Sequence, residues 1–172
     1  LGDVYKRQFL FFVFCFFEAI SQNQPPIISS DGNQIYCPLT QQNIVNTFNI
    51  EDPDDTSLDA LYIQISEGYV PGEDILSYSG SNPNLDFNWS VSEGKLEITS
   101  LDGNSALITD LIDAVYEVVF FSSNPSPSDK SFSFTIGDAN YLPSTGHYYI
   151  FFESLGVTWI QAEQLAENSS YY

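Results

Sequence analysis

Methionine is absent from all 172 residues, histidine occurs once and cysteine twice, and Lys plus Arg number only 4 against 23 Asp plus Glu. The formal charge of -19 excludes a polyanionic partner, because contacts to nucleic acid or anionic head groups need Lys and Arg. One His, His147, and a single Cys outside the apolar N-terminal run, Cys37, cannot build a zinc, haem or iron–sulfur site. Neither a G-x-S-x-G elbow nor an H-E-x-x-H helix is present. Catalysis would have to rest on a carboxylate pair such as Glu67 or Glu73 with an Asp, and the chain is read as non-enzymatic.

No apolar run reaches the roughly 20 residues that a membrane-spanning helix needs. What is there instead, Lys6-Arg7 followed by "FLFFVFCFF" (Phe9–Phe17) and then small residues at Ala19 and Ser21, has the three parts of a secretory signal peptide. Residues 1–21 are therefore expected to be removed after Ser21, giving a secreted or cell-surface protein with no membrane insertion after cleavage. Because Met is missing, Leu1 is not read as a natural start. "LGDVYKRQ" resembles translated sequencing-adaptor sequence, so residues 1–8 are set aside. Cleavage leaves Cys37 without a second Cys and leaves the charge at -19.

The full sequence, with 43% hydrophobic and 16% aromatic residues, is too apolar for a disordered acidic chain and long enough to bury a core. After a leader at residues 22–34, alternating apolar residues predict strands at Ile44–Ile50, Leu61–Ser66, Ile75–Tyr78, Leu85–Val91, Lys95–Thr99, Val115–Phe121 and Ser131–Gly137. Turn-rich segments such as "SEGYVPGED", "SGSNPN" and "SSNPSPSD" separate them. One short helical turn is expected at "TDLIDAV", with Thr109 as its cap. The pattern is that of an all-β, Ig-like antiparallel sandwich with one short helix.

"FNIEDPDDTSLDALYIQISEGYVPGEDILSY", "FNWSVSEGKLEITS" and "LITDLIDAVYEVVFFSSNPSPSDKSFSFTIGD" together resemble a bacterial cadherin-like surface repeat, the match covering about Ile44 to Asp138. The implied sandwich domain spans residues 35–138. From residue 139 to 172, "HYYIFFESLGVTWIQAEQLA" resembles the opening of a C-type lectin-like domain, an incomplete α+β segment with Thr158 capping its helix. Tyr148, Tyr149, Phe151, Phe152 and Trp159 are read there as core residues rather than as a sugar-stacking platform. The motifs by which lectin-like domains hold calcium and sugar lie further along that fold and are not in this chain. The arrangement is similar to long flavobacterial exported proteins. It implies cell adhesion or carbohydrate recognition toward a glycan or other surface ligand, the sandwich being a spacer or adhesion module. A stalk without glycan binding, and an accessory module of an exported polysaccharide-degrading enzyme, are the alternatives.

"NIEDPDDTSLDA" places Glu51, Asp52, Asp54, Asp55 and Asp59 within nine positions. Calcium favours several carboxylates offered from one loop, so Asp52, Asp54 and Asp55 are candidate calcium ligands, with Asp74 as a second contributor beside Glu73. The cadherin-like resemblance adds Asp138 and Asn140 as a linker-type pair. The competing reading is a solvated turn, since Asp and Pro are ordinary turn residues. Asn88 and Asn168 satisfy the glycosylation sequon, which is frequent by chance.

Overall fold

The computed structural model describes residues 26–136, 140–142, 147–149 and 158–168; the expected signal segment 1–21 lies outside them. The strands are β1 (Ile27–Asp31), β2 (Gln42–Asn43), β3 (Thr47–Glu51), β4 (Ser57–Leu58), β5 (Ala60–Glu67), β6 (Asp74–Tyr78), β7 (Leu85–Ser90), β8 (Lys95–Ser100) and β9 (Ala106–Leu107). Helix α1 (Ile108–Tyr116) follows, then β10 (Val118–Ser122), β11 (Ser131–Ile136), β12 (Asn140–Leu142), β13 (His147–Tyr149) and helix α2 (Trp159–Asn168). Every strand pairing among the described residues is antiparallel.

Period-two alternation drives the two main sheets together. On β5, Leu61, Ile63 and Ile65 are buried while Tyr62, Gln64 and Ser66 are only half-buried. Register places Leu61 opposite Ile98 and Ile63 opposite Leu96 on β8, so the four side chains share one face. Across from them, Leu76 of β6 and Val118 and Phe120 of β10 close the same core. The first sheet has the order β11-β5-β8-β7 and the second β2-β10-β6. On the outer face of β8, Lys95 is covered without entering that core: its Nζ lies 3.4 Å from Glu93 and 5.2 Å above the Tyr62 ring.

The strand order differs from the seven-strand immunoglobulin constant arrangement, in which the last strand lies beside its predecessor. Here β11 pairs with β5, and the short β2 occupies the place beside β10. A second difference is at the start: residues 27–31, read as leader, form β1 and pair with β3, Ile28 opposite Ile50. β1 begins opposite Glu51, the residue that leads into the acidic turn, and β11 ends at Ile136 opposite Leu61. The two ends of the sandwich strands, Ile27 and Ile136, thus lie toward the same end of the molecule, the end where β5 begins.

Helix α1 is one residue longer at each side than the sequence suggests, and Thr109 does not cap it. The cap position is Leu107, which makes no side-chain bond; instead the Ile108 N–H donates to the Thr56 carbonyl at 3.0 Å. Packing decides the start: Ile108, Leu111, Ala114 and Val115 are all buried, and the Tyr116 hydroxyl exchanges hydrogen bonds with the backbone of Phe48 at 2.9 and 3.0 Å. Val115 and Tyr116 consequently belong to the helix, and the strand begins only at Val118. In α2 the expected cap is present: Gln161 N–H donates to Thr158 Oγ1 at 3.4 Å, and Thr158 N–H to Gln161 Oε1 at 2.9 Å, a reciprocal capping box. Trp159, read as a core residue, is 82% exposed. The side chains of Tyr148, Tyr149, Phe151 and Phe152 lie outside the described residues.

Two turns show how the loops are fixed. At the β7–β8 hairpin Gly94 has φ +64°, and a Cβ there would press on the Tyr69 ring at 2.8 Å; glycine meets both demands. After β8, Asp102 accepts from Ser100 Oγ at 2.7 Å and from the Asn104 backbone at 2.9 Å. These bonds, the Ser100 hydroxyl first, lower its carboxyl to about 2.

The Ile63 side chain is wholly enclosed. Ile63→Ala is expected to lower unfolding stability by about 2–5 kcal/mol, read as a lower denaturant midpoint at unchanged slope. For Asp102 the folded pKa lies below the unfolded one, so its contribution is present above the unfolded value near 4 and is lost as pH falls toward about 2. A denaturant midpoint that declines between those pH values, and declines less in Asp102→Asn, is the expected result.

Candidate functional site

The acidic turn follows β3 directly. Pro53 fixes the backbone between Asp52 and Asp54, and Asp52 Oδ1 accepts the backbone N–H groups of Asp55 at 2.9 Å and Asp54 at 3.2 Å. The Asp55 N–H is the main reason that the Asp52 carboxyl is held below its usual range, with burial acting against it. Its other oxygen, Oδ2, is enclosed and has no hydrogen-bond partner. One carboxylate oxygen from each of Asp52, Asp54 and Asp55 falls within 4.8 Å of the others, the one acidic grouping of this kind among the described residues.

That spacing suits a single calcium ion. Two oxygens each bound at about 2.4 Å can be at most about 4.8 Å apart. Three side-chain oxygens supply about half of the six to eight that calcium takes, so waters or further backbone oxygens would complete the shell. The neighbouring acids are otherwise engaged. Asp59 accepts from Ser105 Oγ at 2.8 Å, tying the start of β5 to the β8–β9 loop, and Glu51 accepts from Asn49 Nδ2 at 3.2 Å.

Asp74 does not join this cluster. It opens β6 next to Glu67 and Gly68, at the far end of β5, whose eight residues extend for about 26 Å. There it is 3% exposed and its Oδ2 meets Lys130 Nζ at 2.6 Å. Glu73 likewise faces away from the turn, accepting from Asn124 Nδ2 at 2.9 Å. Asp138 lies outside the described residues, as does the side chain of Asn140, whose backbone begins β12. Glu67, considered above as half of a catalytic pair, accepts from Ser131 Oγ at 2.8 Å.

An aromatic cleft had no signature along the chain. Between the edge strand β11 and residues 30–45 lies an open space of about 700 Å³, lined by Tyr36, Ile44, Val45, Phe120, Phe132 and Phe134. Tyr36 and Phe132 both stand edge-on to Phe120, with centroids 5.0 and 5.6 Å apart. The "SFSFTI" alternation marks Phe132 and Phe134 as inward, but nothing local says that Tyr36, from the leader side, packs beside them.

No family model and no solved structure matches the chain. Among curated proteins it is similar to Halomucin of Haloquadratum walsbyi (strain DSM 16790 / HBSQ001), 28% identical over 162 residues. The similarity covers 88% of this chain and 2% of Halomucin, so the chain spans a small fraction of the length of the relative it resembles.

Proposed function

We propose that the chain is a non-enzymatic module of a much longer exported surface protein, its sandwich acting as a spacer or adhesion unit beside a lectin-like segment that contacts glycans. The observation that carries this reading is the coverage of the Halomucin similarity: nearly the whole chain corresponds to a small stretch of a very long polypeptide. Two packed antiparallel sheets sharing one core and the short helix ahead of β10 agree with the cadherin-like pattern, whereas the exchange of β2 and β11 departs from immunoglobulin order. In the same proposal Asp52, Asp54 and Asp55 hold calcium, which would tie the β3–β4 turn and relieve the mutual repulsion of three carboxylates.

Adding calcium to chelator-treated protein is expected to raise its melting temperature, and Asp52→Asn to abolish the rise; identical melting curves with and without the ion would remove calcium from the proposal. For the glycan reading, the sandwich followed by a completed lectin-like domain is expected to give saturable, sugar-specific signals on a glycan array. Silence across the array would leave the spacer role alone.

A further inference from the structure

Of the 4 basic residues in the sequence, Lys95 and Lys130 are the two within the described fold, and the lysine that reaches a fully enclosed carboxylate is Lys130. Asp74 has a side chain with no exposure and Lys130 one with 6%. Their atoms are held from several sides. Asp74 Oδ2 accepts the Val70 N–H at 2.8 Å as well as Lys130 Nζ at 2.6 Å. Lys130 Nζ also donates to the Gly68 carbonyl. Gly68 is at φ +71°, and a Cβ there would run into the Asp129 carbonyl, so the two loops close tightly over the pair. The remaining carboxylate oxygen, Asp74 Oδ1, is buried without a partner. The nearby groups are committed elsewhere: Glu73 to Asn124, and the Tyr69 hydroxyl to the Val91 carbonyl at 2.6 Å.

A buried ion pair is stable only when every remaining lone pair is satisfied, and Oδ1 is not. We propose that Lys130 and Asp74 form an intramolecular amide, a covalent bond between β6 and the residue leading into β11. A proton passes from the ammonium to the carboxylate along the Nζ–Oδ2 contact, leaving a neutral amine and a neutral carboxyl. The Nζ lone pair attacks Cγ, the Cγ–Oδ1 bond breaks, and Oδ1 leaves as water with two of the protons first carried by nitrogen, one of them passed on by Oδ2, which stays as the amide oxygen. Ammonium plus carboxylate equals amide plus water, with no change in charge and no other reactant. The amide keeps one N–H, which donates to the Gly68 carbonyl, and one oxygen, which accepts the Val70 N–H. No orphan carboxylate oxygen remains, and the enclosure that excludes water protects the bond from hydrolysis. Fixing both atoms in contact supplies the proximity that an intermolecular amidation lacks.

The test is the intact mass of the full chain, purified, folded, incubated at neutral pH and then denatured. The expected mass is one water below that of the sequence. Trypsin should give a single cross-linked species joining the peptide that contains Asp74 to the peptides around an uncleaved Lys130. Lys130→Arg should restore the full sequence mass while keeping a cation beside Asp74, and Asp74→Asn should reach the same product by losing ammonia. An unmodified wild-type mass with ordinary cleavage after Lys130 overturns the proposal. So does a water loss in which the two peptides separate, which would be succinimide at Asp31-Gly32 or Asp102-Gly103. Mass and cleavage pattern are both measured on the wild-type chain, so neither outcome depends on a variant folding.

Discussion

A chain with 23 carboxylates and 4 basic side chains cannot neutralise its acids pairwise, and this shortage of cations organises much of the polar structure. Neutral donors take over. Backbone N–H groups hold Asp52 and Asp102, hydroxyls hold Asp59, Glu67 and Glu117, and an amide holds Glu73. Hydrogen bonds to a carboxylate stabilise its charged form without a counter-charge, which is why Asp52 and Asp102 are both held low. Acids left at the surface keep their hydration; the one carboxylate that goes fully inside among the described residues, Asp74, is the one that receives a lysine. Tyr78 shows the converse. Burial first, and then the Glu117 carboxylate that accepts its hydrogen bond, push its phenol up to about 12, so Tyr78 keeps the proton by which it ties β6 to the end of α1.

The alternation that a strand needs is a local property, and the central strands were accordingly legible. Leu61, Ile63 and Ile65 point one way because the sequence alternates, and no long-range information is required to say so. What alternation cannot give is the neighbour of each strand. Nothing in "SFSFTI" distinguishes pairing with β5 from pairing with β10, and "IISSD" is too polar to announce that it will add to β3. Thr109 failed as a cap for a related reason. It is a good capping residue by type, but the helix is set by inward packing of Ile108, Leu111 and Val115, and the Thr56 carbonyl takes the Ile108 N–H instead.

The same division governs the candidate site. Asp52, Asp54 and Asp55 converge because four consecutive residues around a proline leave them little else to do, so their grouping could be read from the chain. Adding Asp74 required knowing at which end of β5 it falls, and the fold puts it at the wrong one. There it meets Lys130, a residue 56 positions away, in a contact that no motif encodes. The aromatic cleft is of the same kind: Tyr36 and Phe132 come together only because β2 and β11 exchange their expected places.

That exchange also bears on how the module would sit in a long polypeptide. In a sandwich that acts as a rod, the chain enters at one end and leaves at the other, so that each unit adds its length to the next. Here β1 runs antiparallel to β3 and starts level with Glu51, while β11 runs antiparallel to β5 and stops level with Leu61. Ile44 and Val45 line the cleft beside Phe132, and Phe48 contacts Phe134 at 5.0 Å, so β3 and β11 advance in the same direction toward the acidic turn. β1 therefore begins at the end of the sandwich where β11 stops. With Ile27 and Ile136 both toward the end of the sandwich that carries the acidic turn, the function proposed above is better served by an adhesion unit than by a rod-like spacer.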